Sequence, residues 1–141
     1  MQNNIHYAKT DSEITHCFPT FKELRPHLDE KTFLEQVKRQ QQHGYHLIYT
    51  KDDTKVLSAA GYRILEYLAW GKILYIDDLI ALSTERGKGY GKILMQCLID
   101  LAKKEGCAQL HLDSGHQRHT AHRLYLNSGL NITSHHFSVL L

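Results

Sequence analysis

The sequence contains no long hydrophobic run. No stretch approaches the roughly 20 apolar residues that a transmembrane helix needs. The opening residues Met1 to His6 also lack a basic start followed by an apolar core, so we expect no secretory signal. We therefore predict a protein that neither spans a membrane nor is exported, and the cytoplasm is its expected location.

The chain also has little net charge and few cysteines. Lysine and arginine together number 17 against 15 aspartates and glutamates, which leaves a formal charge of +2, and no block of like charge marks a binding tail. This balance gives no reason to predict a nucleic-acid partner or attachment to a membrane surface. The three cysteines, Cys17, Cys97 and Cys107, are odd in number and unpatterned, which is typical of reduced cytoplasmic thiols.

The size and composition of the chain suit one globular domain. It has 141 residues, of which 42% are apolar and 23% are charged, and it carries no internal repeat, low-complexity tract or linker. Such a chain is long enough to bury a hydrophobic core of its own and too short for two domains of ordinary size. We therefore expect a single domain over residues 1–141.

The spacing of apolar residues predicts a mixture of helices and strands. Polar caps and helical periodicity predict helices that start near Thr10, that cover residues 29–42 and that include residues 92–104, with Gly106 as the stop of the last one. Pro19 and Pro26 should break the segment after the first helix into short helical pieces. Neighbouring strands joined by short turns should pair antiparallel, whereas a strand that follows a crossover helix should run parallel to its neighbour. The predicted strands, which would form a mixed sheet, are 5–8, 45–50, 55–67, 73–82, 109–113 and 134–140.

A glycine-rich loop follows the predicted strand 73–82 and leads into a helix. It reads Arg86-Gly87-Lys88-Gly89-Tyr90-Gly91. The first turn of a helix has unpaired N–H groups and the positive end of the helix dipole, and glycines let a phosphate come close to those groups. Arg86 and Lys88 add positive charge. The loop is therefore a candidate anion site, and the alternative is a tight turn whose glycines serve backbone geometry alone.

The loop fails to match two well-known phosphate motifs. A Walker loop needs a glycine at position 86 and a serine or threonine after Gly91-Lys92, but this chain has Arg86 and Ile93 there. The dinucleotide fingerprint G-x-G-x-x-G fails because the third glycine comes one residue early, at Gly91. Both of these nucleotide-binding classes are excluded on the sequence as written.

Two motifs resemble those of the GCN5-related N-acetyltransferase family. Arg86, Gly89 and Gly91 fit the family's Arg-x-x-Gly-x-Gly coenzyme A loop, and residues 121–130 are similar to its second signature, Ala-x-x-Leu-Tyr-x-x-x-Gly-Phe. The resemblance covers roughly residues 49–141. It implies a mixed α/β (α+β) acyl-CoA N-acyltransferase fold, with a mostly antiparallel central sheet of about six to seven strands flanked by about four helices.

The resemblance implies acetyl-CoA as the co-substrate and no metal. In the family, the strand before the loop pairs with the pantetheine arm through main-chain groups, and the loop holds the pyrophosphate. Where the family commonly has an asparagine, this chain has Arg118, and an arginine there is able to reach a coenzyme A phosphate. The positions that match the family's cofactor contacts are Leu79, Ile80, Ala81, Leu82, Arg86, Gly87, Lys88, Gly89, Tyr90, Gly91 and Arg118.

The implied reaction is transfer of the acetyl group to a primary amine by direct attack in a ternary complex. The family places a tyrosine near the coenzyme A sulfur at the position of Tyr125, which is the candidate general acid. Asp78 is the candidate base, with a water chain as the alternative. Because Asp77 and Asp78 are adjacent on a predicted strand, we expect their side chains to point to opposite faces and only one to face the acceptor.

Two other function classes are alternatives. A non-catalytic acetyl-CoA-binding regulatory module would keep the loop but dispense with Tyr125, so the tyrosine favours an enzyme. A metal-binding domain built on His116, His119 and His122 would need three converging rings, whereas their spacing spreads them by about 240° around a helix. No motif identifies the acceptor amine, and the apolar stretch 137–141 is a candidate edge for a homodimer.

Overall fold

The computed structural model of the chain describes residues 4–141. A short 3-10 helix (Ser83–Glu85) lies between the fourth strand and the fourth α-helix. The other elements of this range are, in chain order, β1 (His6–Tyr7), α1 (Asp11–His16), α2 (Phe18–Leu24), α3 (Glu30–Gln41), β2 (His46–Lys51), β3 (Val56–Tyr67), β4 (Gly71–Ala81), α4 (Tyr90–Lys104), β5 (Gln109–Leu112) and α5 (His119–Asn127).

Helices α1 and α3 start at polar caps, and α2 starts with a proline in its first turn. At α1, the Thr10 hydroxyl accepts a hydrogen bond from the Glu13 N–H at 3.1 Å, and the Glu13 carboxylate accepts one from the Thr10 N–H at 2.9 Å. Pro19 lies in the first turn of α2. An N–H at this position has no acceptor within the helix, so the proline costs the helix no hydrogen bond. Asp29 caps α3 by accepting a hydrogen bond from the Thr32 N–H at 3.0 Å. The predicted starts of α1 and α3 are confirmed.

The strands form one mixed sheet in the order β1-β2-β3-β4-β5. The first four strands pair antiparallel with their neighbours, and β5 runs parallel to β4 because α4 carries the chain back to the same end of the sheet. The mixed fold and the parallel pair are as predicted. Within residues 4–141 the sheet has five strands, fewer than the about six to seven that the family resemblance implies.

The predicted C-terminal strand over residues 134–140 is wrong. Residues 131–141 form neither helix nor strand, and their apolar side chains are exposed, with Phe137 at 91%. A strand needs a neighbouring strand for its backbone hydrogen bonds and a buried face for its side chains. Alternating apolar residues alone provide neither of these.

Helices cover both faces of the sheet. On one face, called the α1 face below, helices α1 to α3 pack through buried side chains that include Phe21 and Phe33. On the other, called the α4 face, the buried side chains of α4 include Leu94 and Leu98, and α5 adds Tyr125. Burial on both faces explains why the central strands read as almost continuous apolar runs.

A β-bulge interrupts β4 near its middle. Gly61 of β3 pairs with Asp78 and Tyr62 pairs with Ile76, so Asp77 has no partner in the ladder. The parallel pairing with β5 also ends at Ile76. Beyond the bulge, β4 therefore has an open edge on the side of β5 within the part of the chain that the structure describes.

Candidate active site

A cavity of about 520 Å³ lies at the open edge of β4. It is bounded by β4 after the bulge, by the glycine-rich loop with the first turn of α4, and by the start of α5. All the predicted cofactor positions line it except Leu82 and Lys88, and Tyr125 lines it as well. Tertiary structure thus brings together two motifs, residues 86–91 and 121–130, that are thirty positions apart in the sequence.

Two glycines of the loop have left-handed backbone conformations. Gly87 has a φ of +82° and Gly89 a φ of +90°, a region that a residue with a Cβ atom adopts only under strain. Gly89 is also the N-cap of α4, and no side chain caps this helix. The unpaired N–H groups of the first turn of α4 are therefore available to an anion in the cavity.

The positive charge at the loop is arranged differently from the prediction. Lys88 lies outside the cavity lining, and its ammonium is 2.8 Å from the carboxylate of Glu85, which also pairs with Lys55 at 3.1 Å. Leu82 lies outside it too, and its N–H donates to a carbonyl of β3 at 2.9 Å. Lys92, which was not among the predicted cofactor positions, lines the cavity from the first turn of α4.

Tyr125 is buried at the side of the cavity, with 7% of its surface exposed. Burial raises the pKa of its phenol, while the neighbouring Arg118 and Ser114 side chains act in the opposite direction. The phenol therefore holds its proton at neutral pH. The Ser114 hydroxyl is buried and has no hydrogen-bond partner within residues 4–141.

Asp78 lies outside the cavity lining and is held by two donors from other elements. Its Oδ1 atom accepts hydrogen bonds from Nε and Nη2 of Arg25, at 3.2 and 3.0 Å. Its Oδ2 atom accepts one from the Tyr45 hydroxyl at 2.8 Å. Since the side chain is only 16% exposed, this carboxylate is largely shielded from solvent and bound on both oxygens.

Asp77 lies on the same face of the sheet as Asp78. Its Oδ1 atom accepts a hydrogen bond from Nε of Arg63 at 3.0 Å, and Arg63, two residues after Gly61 on β3, points to the α1 face. The prediction that the two carboxylates point to opposite faces is therefore wrong. The bulge inserts an extra residue at Asp77, and this shifts the alternation of side chains along β4.

Three residues that hold these carboxylates, Arg25, Tyr45 and Arg63, were not predicted. Tyr75 was not predicted either, and its hydroxyl donates a hydrogen bond to a different carboxylate, that of Asp113 beyond the end of β5. These contacts join residues far apart in the chain, and no local motif marks them. A pattern within one helix or strand therefore could not have identified these residues.

The histidines of the segment 116–122 form no metal site. The His119 and His122 ring centroids are 6.2 Å apart, and His122 Nε2 lies 2.8 Å from the Gly115 carbonyl oxygen. Across residues 4–141, no three His, Cys, Asp or Glu side chains are grouped in a way that could hold a metal ion. No helix in this range has both the length and the apolar character of a membrane span.

Comparisons with known proteins give one consistent result. The model of the acetyltransferase (GNAT) family matches residues 9–130. A Bacillus subtilis (strain 168) protein named uncharacterized N-acetyltransferase YhdJ is 34% identical over 137 residues, which are 94% of this chain and 96% of that protein.

Solved structures share the fold at low sequence identity. The ribosomal-protein-alanine N-acetyltransferase from Brucella melitensis biovar Abortus 2308 is 15% identical with a TM-score of 0.81, and the match covers 97% of this chain and 99% of that one. The aminoglycoside N-acetyltransferase AAC(6')-Iy in complex with CoA is also 15% identical, with a TM-score of 0.83 and coverage of 97% and 93%.

Proposed function

The chain belongs to the acetyltransferase (GNAT) family, and we propose that it is an acetyl-CoA-dependent N-acetyltransferase acting on a primary amine of a small molecule or protein. The observation that carries this proposal is the cavity that joins the open edge of β4, the glycine-rich loop and Tyr125. A pantetheine arm needs free main-chain groups, a pyrophosphate needs N–H donors, and a leaving thiolate needs a proton donor. The cavity offers all three.

The coenzyme would be bound mainly by backbone groups. The stretch from Leu79 to Ala81 is the open edge of β4 along which pantetheine would pair, and a main-chain N–H there would polarise the thioester carbonyl. The loop from Arg86 to Gly91 would hold the pyrophosphate against the first turn of α4. Arg118 and Lys92, which both line the cavity, would neutralise phosphate charge.

The reaction needs two proton transfers that protein groups would mediate. The acceptor arrives as an ammonium ion and must lose a proton before its nitrogen attacks the thioester carbon. The new C–N bond forms, the C–S bond breaks, and the departing thiolate takes a proton. We propose that Tyr125 donates this proton, because its buried phenol is protonated at neutral pH and faces the cavity.

The proposed base is a carboxylate of β4. Asp78 is the residue that the sequence predicts for this role, and Asp77 is its neighbour on the same face. Both lie on the α1 face, whereas Tyr125 belongs to the core of the α4 face. Such an arrangement would let the amine and the thiol approach the acetyl group from different sides, as direct attack in a ternary complex requires.

The first experiment is calorimetric titration of the purified protein with acetyl-CoA. Thiol release would then be measured with spermidine, L-lysine, tobramycin and a short peptide with an N-terminal alanine, the last two chosen from the names of the structural relatives. Micromolar binding with release for one amine class supports the enzyme. Binding with no release for any amine would favour an acetyl-CoA-binding regulatory module, and absence of binding would overturn the proposal.

A further inference from the structure

The two carboxylates at the bulge of β4 have different surroundings. We infer that Asp77 removes the proton from the acceptor amine, and that Asp78 is a positioning residue that holds Arg25 and Tyr45 beside it. This assignment rests on the proposed acetyltransferase function and departs from the sequence-based choice of Asp78. It follows from the hydrogen-bond partners of each carboxylate and from where each stands on β4.

The Asp78 carboxylate is already fully engaged. Three hydrogen bonds reach it, two from the Arg25 guanidinium to Oδ1 and one from the Tyr45 hydroxyl to Oδ2. Tyr45 is 3% exposed, so its hydroxyl has no access to water as an alternative partner. These bonds hold both of its oxygens against protein donors, so Asp78 serves as an anchor for Arg25 and Tyr45.

The Asp77 carboxylate has one oxygen available. Arg63 occupies Oδ1 at 3.0 Å, whereas Oδ2 accepts no hydrogen bond from any residue between 4 and 141. The side chain is 18% exposed, close to the 16% of Asp78, and neither carboxylate lines the cavity, so the two differ in their free oxygen and not in exposure. An anionic oxygen with free lone pairs in a half-buried position is the arrangement that a general base requires.

The place of Asp77 in the sheet also suits a base. It is the first residue of β4 after the last pair with β5, Ile76 with Leu112, so it stands where the two strands separate. Leu79, the first residue of β4 that lines the cavity, follows two positions later. The bulge turns the Asp77 side chain to the α1 face, opposite the face to which Tyr125 belongs.

The charges around Asp77 come from several elements. Arg63 on β3, Arg25 after α2 and Asp78 on β4 act on its ionisation, and the Tyr75 and Tyr45 phenols lie within its electrostatic reach. Burial raises the pKa of Asp77. The neighbouring Asp78 carboxylate also raises it, and the two arginines lower it. A raised pKa brings a carboxylate closer to the range in which it exchanges protons during turnover.

The proton balance is simple. The ammonium form of the acceptor gives one proton to Oδ2 of Asp77, which later releases it to solvent. The neutral nitrogen attacks the thioester carbon, the second nitrogen proton leaves as the amide forms, and the thiolate is protonated by Tyr125, which regains a proton from solvent. The net products are the amide, the free thiol and one proton.

The test compares Asp77→Asn with the isosteric variant Asp78→Asn. For the panel amine with the highest turnover in the wild type, Asp77→Asn should lower kcat/KM by about 100-fold near neutral pH and remove the acidic limb of the pH profile. Acetyl-CoA affinity should stay within about twofold. Asp78→Asn should keep the acidic limb and act mainly on thermal stability and on the KM for the amine.

Two further measurements make the test specific. The deficit of Asp77→Asn should shrink as the pH approaches the pKa of the acceptor amine, because a neutral amine needs no base. Asp77→Glu, which retains a carboxylate, should recover part of the activity even if the asparagine variant folds poorly by circular dichroism. A wild-type protein that acetylates no amine would contradict the proposed function itself. An active wild type whose Asp77→Asn variant keeps its acidic limb, or whose Asp78→Asn variant loses it, would overturn this inference alone.

Discussion

The Tyr45 hydroxyl reaches Asp78 by crossing β3 at Gly61. The donor and acceptor oxygens are 2.8 Å apart, and a Cβ atom on Gly61 would lie 1.8 Å from the Tyr45 hydroxyl oxygen. Glycine at this position is therefore required by the close approach of a side chain, since its own backbone is not left-handed. One glycine on β3 thus lets a residue that precedes β2 touch the bulge on β4.

We predict that Gly61→Ala destabilises the protein by about 2–4 kcal/mol. The added methyl group must displace the buried Tyr45 ring, which combines the strain of overpacking with loss of a hydrogen bond to a charged group. Urea denaturation followed by circular dichroism measures the change in the free energy of unfolding.

A double-mutant cycle with Tyr45→Leu separates this clash from a general intolerance of Gly61 to substitution. In the Tyr45→Leu background, Gly61→Ala should cost much less than in the wild type, because the hydroxyl and the ring atoms that the added Cβ would meet are gone. Equal costs in the two backgrounds would mean that the contact between Tyr45 and Gly61 is not the reason for the glycine.

Gly89→Ala should weaken acetyl-CoA binding by at least about tenfold. The change places a Cβ atom in front of the N–H groups that would hold the pyrophosphate, and it strains a backbone with a φ of +90°. Calorimetric titration gives the affinity.

Gly44→Ala is the matched control for this loss. Gly44 has a φ of +91°, has open space around it and lies outside the cavity lining, so both variants should lose a similar stability of about 1–2 kcal/mol. If Gly44→Ala weakened coenzyme binding as much as Gly89→Ala, the loss would reflect backbone strain and not a phosphate contact.

Tyr125→Phe should reduce kcat by about 100-fold and leave acetyl-CoA affinity almost unchanged, since only the proton donor is removed. The basic limb of the pH profile, where the phenol of Tyr125 would ionise, should disappear in the variant. Stopped-flow detection of thiol release measures the effect.

Tyr62→Phe provides the comparison for Tyr125→Phe. Tyr62 is a buried tyrosine of the same core that does not line the cavity, and burial raises its pKa above the usual range. We expect its turnover to stay within about twofold of the wild type. Parallel losses of turnover and coenzyme affinity in Tyr125→Phe would point to a packing role.

Cys17 should resist alkylation in the native protein. It is completely buried, and burial raises the pKa of its thiol to about 12, so very little reactive thiolate exists near pH 8. Cys107 is half-buried and should react faster. Iodoacetamide labelling with peptide mass spectrometry, with and without urea, measures both rates, and rapid labelling of native Cys17 would contradict its burial between α1 and α2.

Much of the fold was predictable because it depends on local chemistry. The capping box at Thr10, the proline in the first turn of α2 and the apolar runs of β2 and β3 each follow from residues within one element. The strand over residues 134–140 was mispredicted because its local pattern is present while its packing partners are not. The sheet was correctly predicted to be mixed, because the crossover helix between β4 and β5 is visible in the sequence.

The cavity and the carboxylates separate what the sequence determines from what only the tertiary structure decides. The sequence by itself determined the glycine-rich loop, the helix after it and the identity of Tyr125. The backbone freedom of glycine and the periodicity of a helix depend on residues that are neighbours in the chain. Only the tertiary structure decided that Asp77 and Asp78 share a face and that Arg25 and Tyr45 bind one of them. A bulge arises from the register between β3 and β4, and register depends on packing across the sheet and not on the residues of one strand.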